Sequence, residues 1–358
     1  MRSIVLIIDS LVNAGAEATN IRLAKIFKED GFNVHLISLK NKIDIDIPEG
    51  IIFHTIDYKK NDFLFFKNRY YAKKLSTVLN TINNKKLILG SLGLSHRLMN
   101  IIDNKFSFYY VIHGNISEAK INKKKGLNKF LKKREIRELY TNKNIITVSN
   151  GVKSDINSLD IKVKSIQTIY NPFDFEEIKN KSLEIVPFEL PSRYLVHVGR
   201  FAKVKRHDIL LNAFSKINDK DLKLILIGDG EEKENIKSLI KKLKLEEKVI
   251  LTGFLKNPYP IIKNAKILVL SSESEGFGNV LIEALILDTL VVSTSTVGAK
   301  EIFDLLNIDS LLSNINDITD LKIKIEKAIT LNTKNLEINL NSFDKKNILS
   351  YYKTLITN

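Results

Sequence analysis

Residues 271–283 read Ser-Ser-Glu-Ser-Glu-Gly-Phe-Gly-Asn-Val-Leu-Ile-Glu, and the fold turns on how this stretch is read. Residues 265–270 before it (AKILVL) form an apolar run of strand length, and residues 280–290 after it are mostly apolar over a helix-like length. The pattern predicts a strand, a tight turn and a helix. The first N–H groups of a helix have no intrahelical partner and carry a partial positive charge. Gly276 and Gly278 allow the backbone to approach a ligand with no Cβ in the way. The turn therefore suits an anion or a sugar hydroxyl. Glu275 precedes it and Glu283 lies about one turn inside the helix, so both carboxylates can face a ligand resting on the helix start. An ordinary βα turn with a solvated glutamate fits the same letters, and the neighbouring segments have to decide.

A chain of 358 residues has room for about two domains, each with an ordinary core. An apolar content of 44% places it among globular proteins. No run reaches the roughly 18 apolar residues of a membrane span, and the N-terminus enters a strand without a signal-peptide pattern. The absence of cysteine excludes disulfides, thiolate metal sites and a cysteine nucleophile, and fits a reducing cytoplasm. The net charge of +15 calls for an acidic partner: nucleic acid, an anionic membrane or a phosphorylated substrate.

Residues 3–9 (SIVLIID) read as a buried parallel strand, followed by a turn, a helix to about Asp30 and a strand over 33–39. The turn is not Gly-x-Gly-x-x-Gly, and no Walker loop occurs. A strand-like stretch at 50–57 precedes an aromatic-rich helix with Phe63, Phe65, Phe66, Tyr70 and Tyr71, expected to be core. Strands follow at 86–89 and 106–112, the second running into His113-Gly114-Asn115. His113 thus sits just past a strand's carboxyl end, where open α/β sheets place ligands. Residues 144–149 read as the last strand of the first half, and Asn171-Pro172 as the crossing between domains. In the second half, a strand at 194–198 opens into Gly199-Arg200 and Lys205, before an amphipathic helix over 209–217. A strand at 222–227 meets Gly228-Asp229-Gly230, and another at 249–251 meets Thr252-Gly253-Phe254-Leu255. Residues 345–356 read as a final helix.

The spacing Glu-x7-Glu around Glu-Gly-Phe-Gly resembles the signature of the retaining glycosyltransferases of family 4, and the other motifs fall in that family's order. The resemblance implies an α/β fold of the GT-B type: two Rossmann-like parallel-sheet domains facing across a cleft. Residues 1–170 would form the acceptor domain and 171–340 the nucleotide-sugar domain. Residues 341–358 would be a helix returning to the first domain. By the same resemblance Glu275 approaches the transferred sugar, and His113 lies near it. The donor would be held by Gly15, Arg200, Lys205, Leu255, Phe277, Gly278, Asn279 and Glu283, with Glu283 on the ribose and the Leu255 backbone near the base. Only Gly15 carries over from the N-terminal glycine loop, because Ala14 stands at its first glycine; Arg206 stands where the family has a glycine after the lysine. Arg200 and Lys205 would clamp the diphosphate, so no cofactor and no metal is expected.

The segment 120–137, opening on Lys120 and closing on Arg137, holds nine Lys or Arg against one Glu. Leu127, Phe130 and Leu131 recur in it at helical spacing. Such a segment suits an anionic bilayer surface, although a charge run is also compatible with a plain solvated face. Nucleic acid is not expected, for want of interleaved aromatics and of any recognised module. The expected protein is a cytoplasmic retaining enzyme, peripheral on the inner face of the cytoplasmic membrane. It would move a sugar from a nucleoside diphosphate sugar, UDP-sugar favoured, to a glycan or lipid-linked acceptor of bacterial surface polysaccharide or lipopolysaccharide. Other GT-B chemistry, such as nucleotide-sugar epimerisation or phosphorolysis, and a non-catalytic binding protein are the alternatives.

Overall fold

The computed structural model describes residues 2–12, 14–62, 66–186, 188–331 and 338–357, and two compact units are found among them. One unit comprises residues 1–172 with 343–358, the other residues 173–342.

The first unit alternates strand and helix: β1 (Ser3–Ile8), α1 (Gly15–Glu29), β2 (Asn33–Ser38), β3 (Ile52–Thr55), α2 (Lys67–Thr81), β4 (Lys85–Ser91), α3 (Gly93–Ile102), β5 (Tyr109–Ile112), α4 (Gly126–Tyr140), β6 (Asn144–Thr147), α5 (Asn150–Ser158) and β7 (Ser165–Thr168). The strands pair in parallel in the order β3-β2-β1-β4-β5-β6-β7. Each residue of β1 is buried, as a central parallel strand with both faces covered requires.

The second unit repeats the plan: α6 (Phe175–Lys181), β8 (Tyr194–Val198), α7 (His207–Ser215), β9 (Lys223–Ile227), α8 (Lys233–Lys242), β10 (Val249–Gly253), α9 (Tyr259–Asn264), β11 (Ile267–Leu270), α10 (Asn279–Ile286), β12 (Leu290–Thr294), α11 (Val297–Leu306), β13 (Leu312–Ser313) and α12 (Ile318–Thr330). Its strands run in parallel in the order β10-β9-β8-β11-β12-β13. The last helix, α13 (Lys345–Thr357), packs on α1 of the first unit. The Tyr352 and Phe27 rings meet edge-on at 5.6 Å, and Lys345 and Lys353 pair with Glu29 and Asp30.

Three sequence expectations change. The first sheet does not end at residues 144–149, because β7 adds an edge strand beyond β6. Its Ser-Ile-Gln-Thr letters are too short and polar to announce a strand, and none of them is fully buried. The aromatic helix is not uniformly core: Tyr71 is buried, but Phe66 and Tyr70 are exposed, and Phe63 and Phe65 lie outside the described residues. The apolar run 280–290 divides, since α10 stops at Ile286, Asp288 takes a left-handed φ of 58°, and Leu290 opens β12.

In each sheet the strand order reverses direction at one place, between β1 and β4 in the first and between β8 and β11 in the second. The loops leaving such neighbours diverge to opposite faces, and the crevice between them at the carboxyl ends is where open α/β sheets bind ligands.

Candidate active site

In the second unit, β8 delivers Gly199-Arg200 to this crevice and β11 delivers the 271–278 turn. The two loops are stitched together: Glu273 N donates to Val204 O at 2.8 Å, and Ser271 Oγ to Lys205 O at 2.8 Å. Lys205 Nζ donates to Glu275 Oε1 at 2.5 Å, and Ser272 Oγ donates to the same oxygen at 2.7 Å. The ion pair is largely shielded from solvent, with the two side chains 21% and 17% exposed. Arg200, in contrast, is exposed and pairs with Glu231 at 2.9 Å.

Glycines make this packing possible where a side chain would collide. A Cβ on Gly228 would lie 2.0 Å from Gly199 O, and one on Gly230 would lie 2.5 Å from Phe201 O. The turn after β9 thereby presses against the Gly199–Phe201 backbone. A Cβ on Gly298 would come within 2.4 to 2.6 Å of the Phe277 backbone, and Gly298 N donates to Glu275 O at 3.2 Å. Gly278 has φ 95° and forms the left-handed residue from which α10 starts. Arg206 holds a similar left-handed conformation with φ 50°, its guanidinium bound to both Asp208 oxygens at 2.9 and 2.8 Å.

The other donor-side residues lie around the same loops. Asn279 is the first residue of α10, whose backbone N–H groups open toward the turn. Glu283 is buried on α10. The Phe277 ring is buried and stacks on Phe173 at 6.4 Å, so only its backbone is left for a ligand. Leu255 follows β10 and is half-buried. Beneath the Lys205–Glu275 pair, His197 and His207 meet edge-on at 4.7 Å. His197 Nδ1 donates to Val269 O at 2.9 Å. The Nε2 atoms of both histidines are buried without a hydrogen-bond partner among the described residues. Desolvation lowers the pKa of His197 to about 4 and that of His207 to about 2, with Lys205 adding to both shifts.

In the first unit the contacts around His113 are neutral. His113, just after β5, has Nε2 3.1 Å from Ser91 Oγ at the end of β4. Asn20 of α1 donates to Ser91 Oγ at 3.0 Å and to Ala16 O at 2.8 Å. Desolvation lowers the His113 pKa to about 4, so its imidazole is neutral near pH 7. Asp155 of α5 accepts from Ile116 N at 2.7 Å and Ser117 N at 3.1 Å, which fixes the loop that carries His113. Asp9, at the end of β1, accepts from Leu94 N and Ser95 N at 3.0 and 2.7 Å and so caps α3. Gly15 is the exposed first residue of α1. His96 is structural: its ring nitrogens lie 2.9 Å from Tyr140 Oη and from Gly90 O, deep in the core.

Thus Arg200, Lys205, Glu275, Gly278 and Asn279 come from the loops of one crevice of the second unit, and His113 and Gly15 from the loops of the first unit's sheet. Sequence reading missed Ser272, Glu231, His197 and His207 in the second unit and Asp9, Asn20 and Ser91 in the first. Ser272 stood inside the quoted signature and Glu231 directly after the Gly-Asp-Gly turn, whereas Asn20 and Ser91 are 71 positions apart and carry no local signal. Among the described residues no group of three or more His, Cys, Asp or Glu is arranged to hold a metal ion.

Two parallel α/β units, each opening at a strand-order reversal, constitute the GT-B architecture. Residues 178–345 match the family model described as glycosyl transferases group 1. The chain is similar, at 33% identity over 85% of its length and 84% of the relative's, to the N-acetylgalactosamine-N,N'-diacetylbacillosaminyl-diphospho-undecaprenol 4-alpha-N-acetylgalactosaminyltransferase of Campylobacter jejuni. It is 26% identical, over 80% of each chain, to the capsular polysaccharide biosynthesis glycosyltransferase CapH of Staphylococcus aureus. The crystal structure of Anabaena Alr3699/HepE in complex with UDP and glucose has the same fold, with a TM-score of 0.79 at 18% identity and full coverage of both chains. The chain belongs to the group 1 glycosyl transferases and is a glycosyltransferase.

Proposed function

We propose that this glycosyltransferase moves a hexosyl or N-acetylhexosaminyl group, with retention, from a UDP-sugar to a glycan or lipid-linked acceptor of bacterial surface polysaccharide. The observation that carries the reading is the Lys205–Glu275 pair beside the start of α10. One ammonium has three donors, so Lys205 can hold Glu275 and still donate to a diphosphate. Arg200, Lys205 and the α10 N-terminus would gather the charge that develops as the bond between the anomeric carbon and the β-phosphate oxygen breaks. The acceptor oxygen attacks the anomeric carbon from the leaving-group side, and its proton passes to a phosphate oxygen. Glu275 would steady the positive charge on the sugar, neutral His113 would hydrogen-bond the reacting groups, and Glu283 would serve the ribose. In this scheme basic side chains take the part a metal would play. The relatives' names support the acceptor class: one names a diphospho-undecaprenol glycan, another a capsular polysaccharide.

The test is calorimetric titration with UDP, GDP, ADP and their common sugar conjugates, with and without EDTA and with Glu283→Ala alongside. Saturable, EDTA-insensitive binding of UDP and its sugars, weakened by the substitution, is the expected result. Tight binding of another base would replace the donor, and no nucleotide binding at all would overturn the scheme.

We also propose that α4 meets an anionic bilayer. Its Leu127, Phe130 and Leu131 are 72%, 64% and 49% exposed. Lys123, Lys124, Lys125, Lys129 and Lys133 around them have no ion-pair partner among the described residues. No described helix is long and apolar enough to cross a membrane. Sedimentation with phosphatidylglycerol vesicles, but not with phosphatidylcholine vesicles, is expected and should be lost on Phe130→Ser with Leu127→Ser; equal sedimentation with both would refute it.

A further inference from the structure

The basic segment expected to be one surface divides in the structure. Lys123 to Lys125, Lys129 and Arg134 are exposed, but Lys120, in the π-helical turn Ser117–Ile121, is half-buried and lies over the start of α3. Its ammonium and the Arg97 guanidinium of α3 both lie over the start of that helix. A Cβ on Gly93 would lie 3.3 Å from Lys120 Nζ and 3.8 Å from Arg97 Nη1. Neither cation has a hydrogen-bond or ion-pair partner among the described residues. Lys132, whose charge acts on Lys120, is itself paired with Glu135 at 2.6 Å. Asp9, the nearest strand-end carboxylate, is taken up by the Leu94 and Ser95 amides. Desolvation lowers the Lys120 pKa, and Arg97 and Lys132 push it the same way, outweighing Asp9 and Glu135. A half-buried ammonium held beside a guanidinium with no carboxylate in ion-pair contact is costly unless a ligand supplies the anion.

We propose that Lys120 and Arg97 form an anion subsite over Gly93 that takes a phosphate-class group carried by the acceptor. Two cations, one of them a planar fork with several donors, suit a doubly charged phosphate better than a single carboxylate. With no side chain of its own, Gly93 lets both cation tips settle over the start of α3. The subsite lies in the same crevice as His113: Ser91, which His113 contacts, is two residues before Gly93, and Lys120, His113 and Arg97 all act on the buried His96. The inference deepens the proposed function and rests on its reading of the first unit as the acceptor side.

The experiment titrates inorganic pyrophosphate, inorganic phosphate and glycerol 3-phosphate into the full chain carrying Lys205→Gln, which removes a cation of the donor crevice. The same titrations are repeated with Lys120→Gln or Arg97→Gln added. Saturable anion binding that either addition weakens at least ten-fold, and that Arg97→Lys largely keeps, is expected. A preference for pyrophosphate would identify a diphosphate-linked carrier as the source, and equal binding of glycerol 3-phosphate a phosphate-bearing polymer. No saturable binding in the Lys205→Gln protein, or binding indifferent to both additions, would overturn the subsite. Arg97 is exposed, so Arg97→Gln decides the matter even if Lys120→Gln does not fold. A parallel UDP titration separates the two readings. UDP affinity should fall with Lys205→Gln and stay unchanged with Lys120→Gln, whereas UDP binding to no variant would remove the donor scheme and leave the anion result standing.

Discussion

The two sheets open at equivalent points of their topology and furnish the openings in opposite ways. Between β8 and β11 the two candidate donor cations already have carboxylates, Lys205 with Glu275 and Arg200 with Glu231, and glycines lock the loops against one another. Between β1 and β4 the contacts around His113 are neutral, His113 to Ser91 to Asn20, and Asp9 is spent on the Leu94 and Ser95 amides, while Lys120 and Arg97 have no ion-pair partner among the described residues. A preorganised set of paired charges suits one recurrent ligand and a steep change of charge during reaction. A neutral scaffold with unpaired cations at its edge suits a ligand that brings its own charge. The contrast fits the donor and acceptor sides proposed above, and it can be attacked at several points.

The largest effect is expected at Glu275. Glu275→Gln should lower transfer by about a hundred-fold or more, while UDP binding measured by calorimetry stays the same or tightens, because Lys205 is released. Retained activity would make the pair structural. Next comes the packing of the glycines. Gly298→Ala drives a Cβ into the Phe277 backbone and should cost about 1 to 3 kcal/mol in denaturant unfolding, together with donor affinity. Gly114→Ala in the first unit meets nothing within 4 Å and should leave stability unchanged. Equal costs in the two would erase the difference in rigidity. Arg200→Ala should weaken UDP binding by about ten-fold, the order of a charged hydrogen bond, whereas Glu231→Gln should leave it equal or slightly tighter. The smallest effect is on acid stability. His113 and His197 have pKa values lowered to about 4 by burial, so below about pH 6.5 the unfolded chain takes up protons that the fold refuses. Stability should therefore fall as pH drops from about 6.5 toward about 4, by at most about 1.4 kcal/mol per pH unit for each such histidine. The slope should be shallower in His197→Asn, as read from denaturation midpoints at pH 7.5 and 5.5.

The strands of both sheets were legible because buried parallel strands are continuous runs of branched apolar residues, as in Ser3–Ile8 and Tyr194–Val198. Edge strands were not: β7 and the two-residue β13 are too short and polar to stand out. Glu275, Gly278 and Asn279 could be found because strand, turn and helix succeed each other within one short segment. The partners of those residues could not. Lys205 reaches Glu275 across 70 positions and Asp9 reaches Ser95 across 86, and only the folded sheet brings such residues together. The half-burial of Lys120 was hidden for a different reason, since in a run of nine basic residues the sequence gives each one the same weight.

The glycines after β9 bear on how this enzyme can be re-engineered. Because Gly228 and Gly230 admit the Gly199–Phe201 main chain at distances no side chain would tolerate, the two loops pack as one module. Grafting the β8 loop from a relative with another donor preference would import a mismatch unless the β9 turn travels with it, so chimeras should be cut at strand midpoints, not at loop boundaries.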